Sequence, residues 1–126
     1  MGTFNVSIQV GGASGGEFLP VDALVDTGAS HTMLPSNLLT TLGVVVIEQV
    51  AFQLADERMV EYDVGEARIR LDGRERTTLV IFGPDDAEPL LGATTLQLFN
   101  MAVDTVSDRL YSVPGLLKGL IAEDVP

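Results

Sequence analysis

The chain has 126 residues, with 7 Lys and Arg against 18 Asp and Glu, for a formal charge of −11 at pH 7. It has no cysteine and a single histidine, His31, which excludes disulfides, thiolate metal sites, cysteine nucleophiles and zinc sites built on two or three histidines of one chain. Four of the 7 basic residues, Arg68, Arg70, Arg74 and Arg76, are interleaved with Glu66, Asp72 and Glu75, so no nucleic-acid partner is expected, and no apolar run approaches the roughly 20 residues of a membrane span.

The length fits one domain over residues 1–126. The 46% hydrophobic content is that of a globular protein. The start, Met1 to Val6, has neither the charged region nor the apolar stretch of a signal peptide. The expectation is a soluble, cytoplasmic protein.

In chain order, Phe4, Val6, Ile8 and Val10 alternate with polar residues, the period of a half-buried strand. Gly11-Gly12 and Gly15-Gly16 bracket a turn, and Phe18 to Val25 forms a second strand in which Pro20 points to an edge or a bulge. Pro35 and Ser36 start a short helix with Leu38, Leu39 and Leu42 on one stripe and Gly43 as its stop. Strands follow over 44–54 and 59–71, with the polar turn Ala55-Asp56-Glu57-Arg58 between them. Asp72-Gly73 is a hairpin turn into a strand over 77–82. Leu90-Leu91-Gly92 is a brief strand, after which Thr94 caps a second helix carrying Leu96, Leu98 and Phe99. Met101 to Val103 and Leu110 to Val113 close the chain as strands. The expected class is all-β with two short helices.

The informative stretch is Ala23-Leu24-Val25-Asp26-Thr27-Gly28-Ala29-Ser30, an apolar strand that ends in a carboxylate and a tight turn. Leu90-Leu91-Gly92 follows downstream, ahead of a helix. Leu24-Val25-Asp26-Thr27-Gly28-Ala29 and Leu90-Leu91-Gly92, in that order, resemble the paired motifs of the retropepsin-like single-domain aspartic proteases. The similarity spans about residues 3–113, with 114–126 as a C-terminal extension.

That resemblance implies a closed, single-lobe acid-protease barrel and an aspartic endopeptidase without cofactor or metal. It also implies a homodimer. The chemistry uses two carboxylates that share one proton, because like charges about 3 Å apart cannot both ionise, and the chain has one Asp-Thr-Gly. Asp104-Thr105-Val106 lacks the glycine. The active unit would therefore be two-fold, with Asp26 facing Asp26 of a second copy.

The resemblance further implies roles for single residues. Asp26, Thr27 and Gly28 are catalytic: the carboxylate, a bracing hydroxyl and a bare main chain. Ala29 and Ser30 contact substrate, as do Ala55, Asp56, Glu57 and Arg58 at the tip of a hairpin flap. Leu91 and Gly92 support the active loop from beneath. The substrate would be a polypeptide in extended conformation, added as a strand between flap and floor. Because Ala29 has no hydroxyl to give the carboxylate, a pH optimum of about 5–6 is expected.

Two departures stand out. The flap tip holds no glycine, and Ser30, His31 and Ala93 stand where retroviral relatives carry acidic residues and an arginine. These leave a second reading, a catalytically inactive dimerisation or peptide-binding module with the same fold.

Other polar features have plainer readings. Ser30 and His31, as neighbours on an extended segment, should point to opposite faces and not pair. Arg68 and Arg70 read as the solvated outer face of a hairpin, and Asp85, Asp86 and Glu88 as a solvated loop. Leu116, Leu117, Leu120 and Ile121 form one face of a short terminal helix.

Overall fold

The computed structural model describes residues 3–115 and 117. Nine strands and two short helices follow one another: β1 (Asn5–Gly12), β2 (Gly15–Val25), β3 (Thr32–Pro35), α1 (Ser36–Thr41), β4 (Val46–Gln53), β5 (Met59–Leu71), β6 (Arg74–Gly83), β7 (Leu90–Leu91), α2 (Ala93–Leu98), β8 (Met101–Asp104) and β9 (Arg109–Ser112). The class is the expected one, all-β with two one-turn helices. Most of the terminal helix expected from Leu116 to Ile121 lies outside the described residues.

The alternation in β1 sends Ile8 and Val10 inward while Asn5, Ser7 and Gln9 stay exposed. β1 pairs antiparallel with β2 on one side and with β5 on the other, so the order β1-β2-β7-β3-β6-β5 closes on itself. The enclosed core includes Ile8, Val10, Leu34, Ile69, Val80 and Leu91, with Leu39 of α1 and Leu96 of α2 packed onto it. Each such fully buried aliphatic side chain contributes about 1.5–3 kcal/mol.

β4 lies outside the ring. It continues the sheet only through the first half of β5, with Gln53 opposite Met59 and Val50 opposite Tyr62. The β4–β5 hairpin thus projects beyond the barrel as a flap. Pro20 pairs with Gln9, and β2 meets its other neighbour, β7, only at Leu24 and Val25. The proline therefore sits where no strand needs its missing N–H.

Positive φ shapes several turns, two of which the sequence announced. Asp72 (φ 55°) and Gly73 (φ 74°) join β5 to β6, the backbone signs that a two-residue hairpin prefers. Gly43 (φ 78°) ends α1, its N–H donating to the Thr40 carbonyl at 3.0 Å.

Two expectations are corrected. Thr94 does not cap α2: Gly92 occupies the cap position with extended backbone and no side-chain bond, and Thr94 lies inside the first turn. Arg68 and Arg70 do not simply face water. Their guanidinium carbons sit 4.4 and 3.7 Å from the centroid of the Phe18 ring, and Arg68 Nε donates to the Gly12 carbonyl at 2.6 Å. The β1–β5 pairing brings the β1–β2 hairpin under these side chains, a long-range contact no local pattern announces. Asp85 lies in an exposed loop, as expected, and its carboxylate also accepts the Asn37 N–H at 2.8 Å at the start of α1.

Among the described residues no helix is long and apolar enough to cross a membrane. No cluster of three His, Asp or Glu side chains among them could hold a metal ion.

Candidate active site

β2 and β7 run parallel, with Leu24 beside Leu90 and Val25 beside Leu91. Apolar residues at these positions bury the end of β2 in the core, and the chain emerges at Asp26. The Asp26 N–H donates to the Leu91 carbonyl at 3.1 Å, so the ladder fixes the backbone up to the carboxylate itself. The chain then turns. The Gly28 N–H donates to Asp26 Oδ1 at 3.0 Å and the Ala29 N–H to the Asp26 carbonyl at 3.2 Å. Asp26 is half-buried, while Thr27 and Gly28 are exposed.

Beyond the turn, the loop is tied to α2. The Ala93 N–H donates to the Ala29 carbonyl at 2.8 Å, and the Thr94 N–H to the Ser30 carbonyl at 2.9 Å. Gly92 lies against the His31 backbone, where an added Cβ would collide with the carbonyl carbon and oxygen. A buried hydroxyl network completes the support. The Gly92 N–H donates to Thr32 Oγ1 at 3.1 Å, and Thr32 Oγ1 is 2.7 Å from Thr95 Oγ1. Both threonines are fully buried. Sequence reasoning missed them, and nothing in the sequence distinguishes a buried threonine from a surface one.

The flap closes over this floor. At its tip the Leu54 N–H donates to the Arg58 carbonyl at 2.8 Å and the Glu57 N–H to the Leu54 carbonyl at 2.9 Å. The turn forms without glycine because Glu57 takes a positive φ of 72°. Asp56 and Arg58 pair with each other at 2.7 Å, both well exposed.

Between flap and loop lies a cleft of about 420 Å³. Asp26, Gly28, Ala29 and Ser30 line it from the floor and Ala55 from the flap. Asp56, Glu57 and Arg58 do not line it, and neither does Thr27; Leu91 and Gly92 lie behind the loop. Sequence reasoning also missed Phe52, Gln53, Leu54 and Tyr62 of the flap arms and Met33, Ile81 and Leu90 of the wall. The flap residues follow from period-two counting back from the tip, which would have found Phe52, Leu54 and Tyr62. Asp26 is the one carboxylate among the cleft residues, and His31 the one side chain there able to carry positive charge.

Ser30 and His31, expected to point apart, are hydrogen-bonded: Ser30 Oγ is 2.8 Å from His31 Nδ1. They occupy a bend before β3 rather than a strand, so strand alternation does not govern them.

The family model described as aspartyl protease matches residues 6–95, which covers the active loop, flap and Gly92 alike. The chain belongs to the aspartyl protease family. Among solved structures, the protease of simian foamy virus (mac) is 20% identical, with a TM-score of 0.53 over 73% of this chain and 90% of that one. A Legionella pneumophila protein of unknown function is 18% identical, with a TM-score of 0.54 over 82% and 92%. The retroviral protease-like domain of Ddi1 from Leishmania major is 16% identical, with a TM-score of 0.51 over 86% and 88%. At such identities the likeness is one of fold, and this chain has the retropepsin-like fold. No curated protein matches the chain.

Proposed function

We propose that the chain is an aspartic endopeptidase that acts as a homodimer, each copy supplying one Asp26. One observation carries this reading: a single carboxylate, Asp26, is held at the floor of a flap-covered cleft, on a loop whose Thr27 and Gly28 remain exposed and open to a second copy.

In the dimer the two Asp26 carboxylates share a proton. The pair titrates as a unit. The ionised partner takes a proton from a water whose oxygen bonds to the scissile carbonyl carbon, and the protonated partner donates to the carbonyl oxygen. The tetrahedral intermediate then collapses. Its C–N bond breaks as one Asp26 gives the leaving amine a proton and the other takes a proton from a diol hydroxyl, so that a new carboxyl group remains and the dyad again holds one proton. Gly28 leaves main chain bare beside the reacting centre, and an extended peptide fits between the flap arms and the floor. The chain's own residues hold both proton positions, so no cofactor is called for.

Asp26→Asn abolishes cleavage of denatured casein on this reading, with the unfolding midpoint nearly unchanged. Full cleavage by that variant would reject it. The glycine-free flap tip favours one competing reading, a peptide-binding module without turnover. Under that reading wild type and Asp26→Asn bind extended peptides alike, and neither cleaves across pH 3–8.

A further inference from the structure

The residues lining the cleft are apolar or neutral apart from Asp26 and His31. His31 is held on three sides. Its backbone rests on Gly92, its Nδ1 is 2.8 Å from Ser30 Oγ, and its ring meets the flap residue Phe52 edge-on, with centroids 5.2 Å apart. Phe52 in turn leans on Tyr62 at 6.2 Å. The imidazole is therefore oriented before any substrate arrives.

Ser30 occupies one ring nitrogen only. No other hydrogen bond to the imidazole exists among the described residues. With the Ser30 hydroxyl donating to Nδ1, the proton sits on Nε2. In the imidazolium form Nδ1–H donates to Ser30 and Nε2–H is again present. In both of these states Nε2 is a donor without a protein acceptor; the remaining tautomer, with Nδ1–H donating to Ser30 Oγ, leaves Nε2 an acceptor, and a substrate carboxylate draws the ring into the first two.

We propose that His31 is a specificity-determining residue, its Nε2–H selecting substrates that place a hydrogen-bond acceptor, best a carboxylate, on a side chain near the cut. The assignment rests on the peptidase reading and goes beyond it by naming the substrate chemistry. Long-range electrostatics act the other way, since a chain of charge −11 repels acidic peptides. A preference for Glu is thus a local effect, best read at about 0.15 M salt, where distant charges are screened. A charge-assisted hydrogen bond in a partly dry cleft is worth about tenfold in kcat/KM.

The test is a peptide library varied at the residues flanking the cut, digested by wild type, His31→Phe and His31→Gln. Phenylalanine keeps a ring against Phe52 and removes both nitrogens, whereas glutamine keeps a donor. Wild type should favour Glu, then Gln, over Leu at one flanking position by about tenfold. His31→Phe should lose that preference and His31→Gln retain part of it. An equal preference in wild type and His31→Phe, or none in wild type, overturns the proposal. If wild type cleaves nothing, the peptidase reading fails, and binding decides the His31 assignment separately. His31 is the only histidine, so its ring Hε1 proton gives the one such NMR signal in the Asp26→Asn protein. A shift with the Glu peptide and none with the Leu peptide sustains the assignment; equal shifts, or none, reject it.

Discussion

Gly92 and His31 touch through their backbones: the Gly92 Cα faces the His31 peptide so closely that a methyl group would meet its carbonyl carbon and oxygen. The Gly92 backbone itself is ordinary, at φ −93° and ψ 172°, and any residue could adopt it. The requirement for glycine is one of space. Gly92→Ala should therefore destabilise the fold by about 3 kcal/mol, the upper range for overpacking against atoms that cannot move aside, as read from the urea midpoint. A loss under about 0.5 kcal/mol would mean that the loop can lift away from α2.

The hydroxyl network beneath that contact gives a second test. Thr32→Val keeps the shape but leaves the Gly92 N–H and the Thr95 hydroxyl short of a partner. A loss of about 2 kcal/mol follows for buried groups left unsatisfied. An unchanged midpoint would show that water or Thr78, 3.5 Å from Thr95 Oγ1, takes over.

How much of this could be read beforehand depended on whether the signal was local. Asp26-Thr27-Gly28, Asp72-Gly73 and Gly43 each announce themselves within a few residues, because strand ends, tight turns and helix stops have local backbone needs, whereas Leu90-Leu91-Gly92 was legible only as part of a family pattern, its glycine being required by distant His31. Contacts between distant segments did not. Phe18 under Arg68 and Arg70 depends on the β1–β5 pairing that closes the barrel. The Ser30–His31 bond depends on a bend where alternation fails. The flap was legible as a hairpin, but not that Glu57 would take the left-handed position its tip requires.

That flap tip carries a small strain. Glycine has no Cβ penalty at positive φ, so Glu57→Gly should raise stability by up to about 1 kcal/mol, measured as an upward shift in denaturant midpoint. A downward shift would show that loss of the side chain or added freedom in the unfolded chain outweighs the relief.

Asp104, in the Asp-Thr-Val that lacks a glycine, is a turn device. Its carboxylate accepts from the Ser107 hydroxyl and from the Ser107 and Val106 N–H groups at 3.2 and 2.9 Å. The Ser107 hydroxyl first, then these N–H groups and Arg109, hold its pKa down to about 2. A pKa depressed on folding stabilises the β8–β9 turn above the ordinary carboxylate range. That contribution fades as pH falls from about 4 toward 2. A carboxyl NMR titration should place Asp104 near 2 in wild type and higher in Ser107→Ala. A wild-type midpoint near 3.8 would contradict the turn geometry.

The central claim, two copies with one Asp26 each, is tested most directly by mixing. Wild type and Asp26→Asn are combined at fixed total concentration, unfolded and refolded together, and assayed on denatured casein. If each active site needs both carboxylates, activity falls as the square of the wild-type fraction, to about a quarter at equal proportions. A linear fall, to about half, would mean that each Asp26 acts on its own, and a fall only to about three quarters that one per dimer suffices; either would contradict the account.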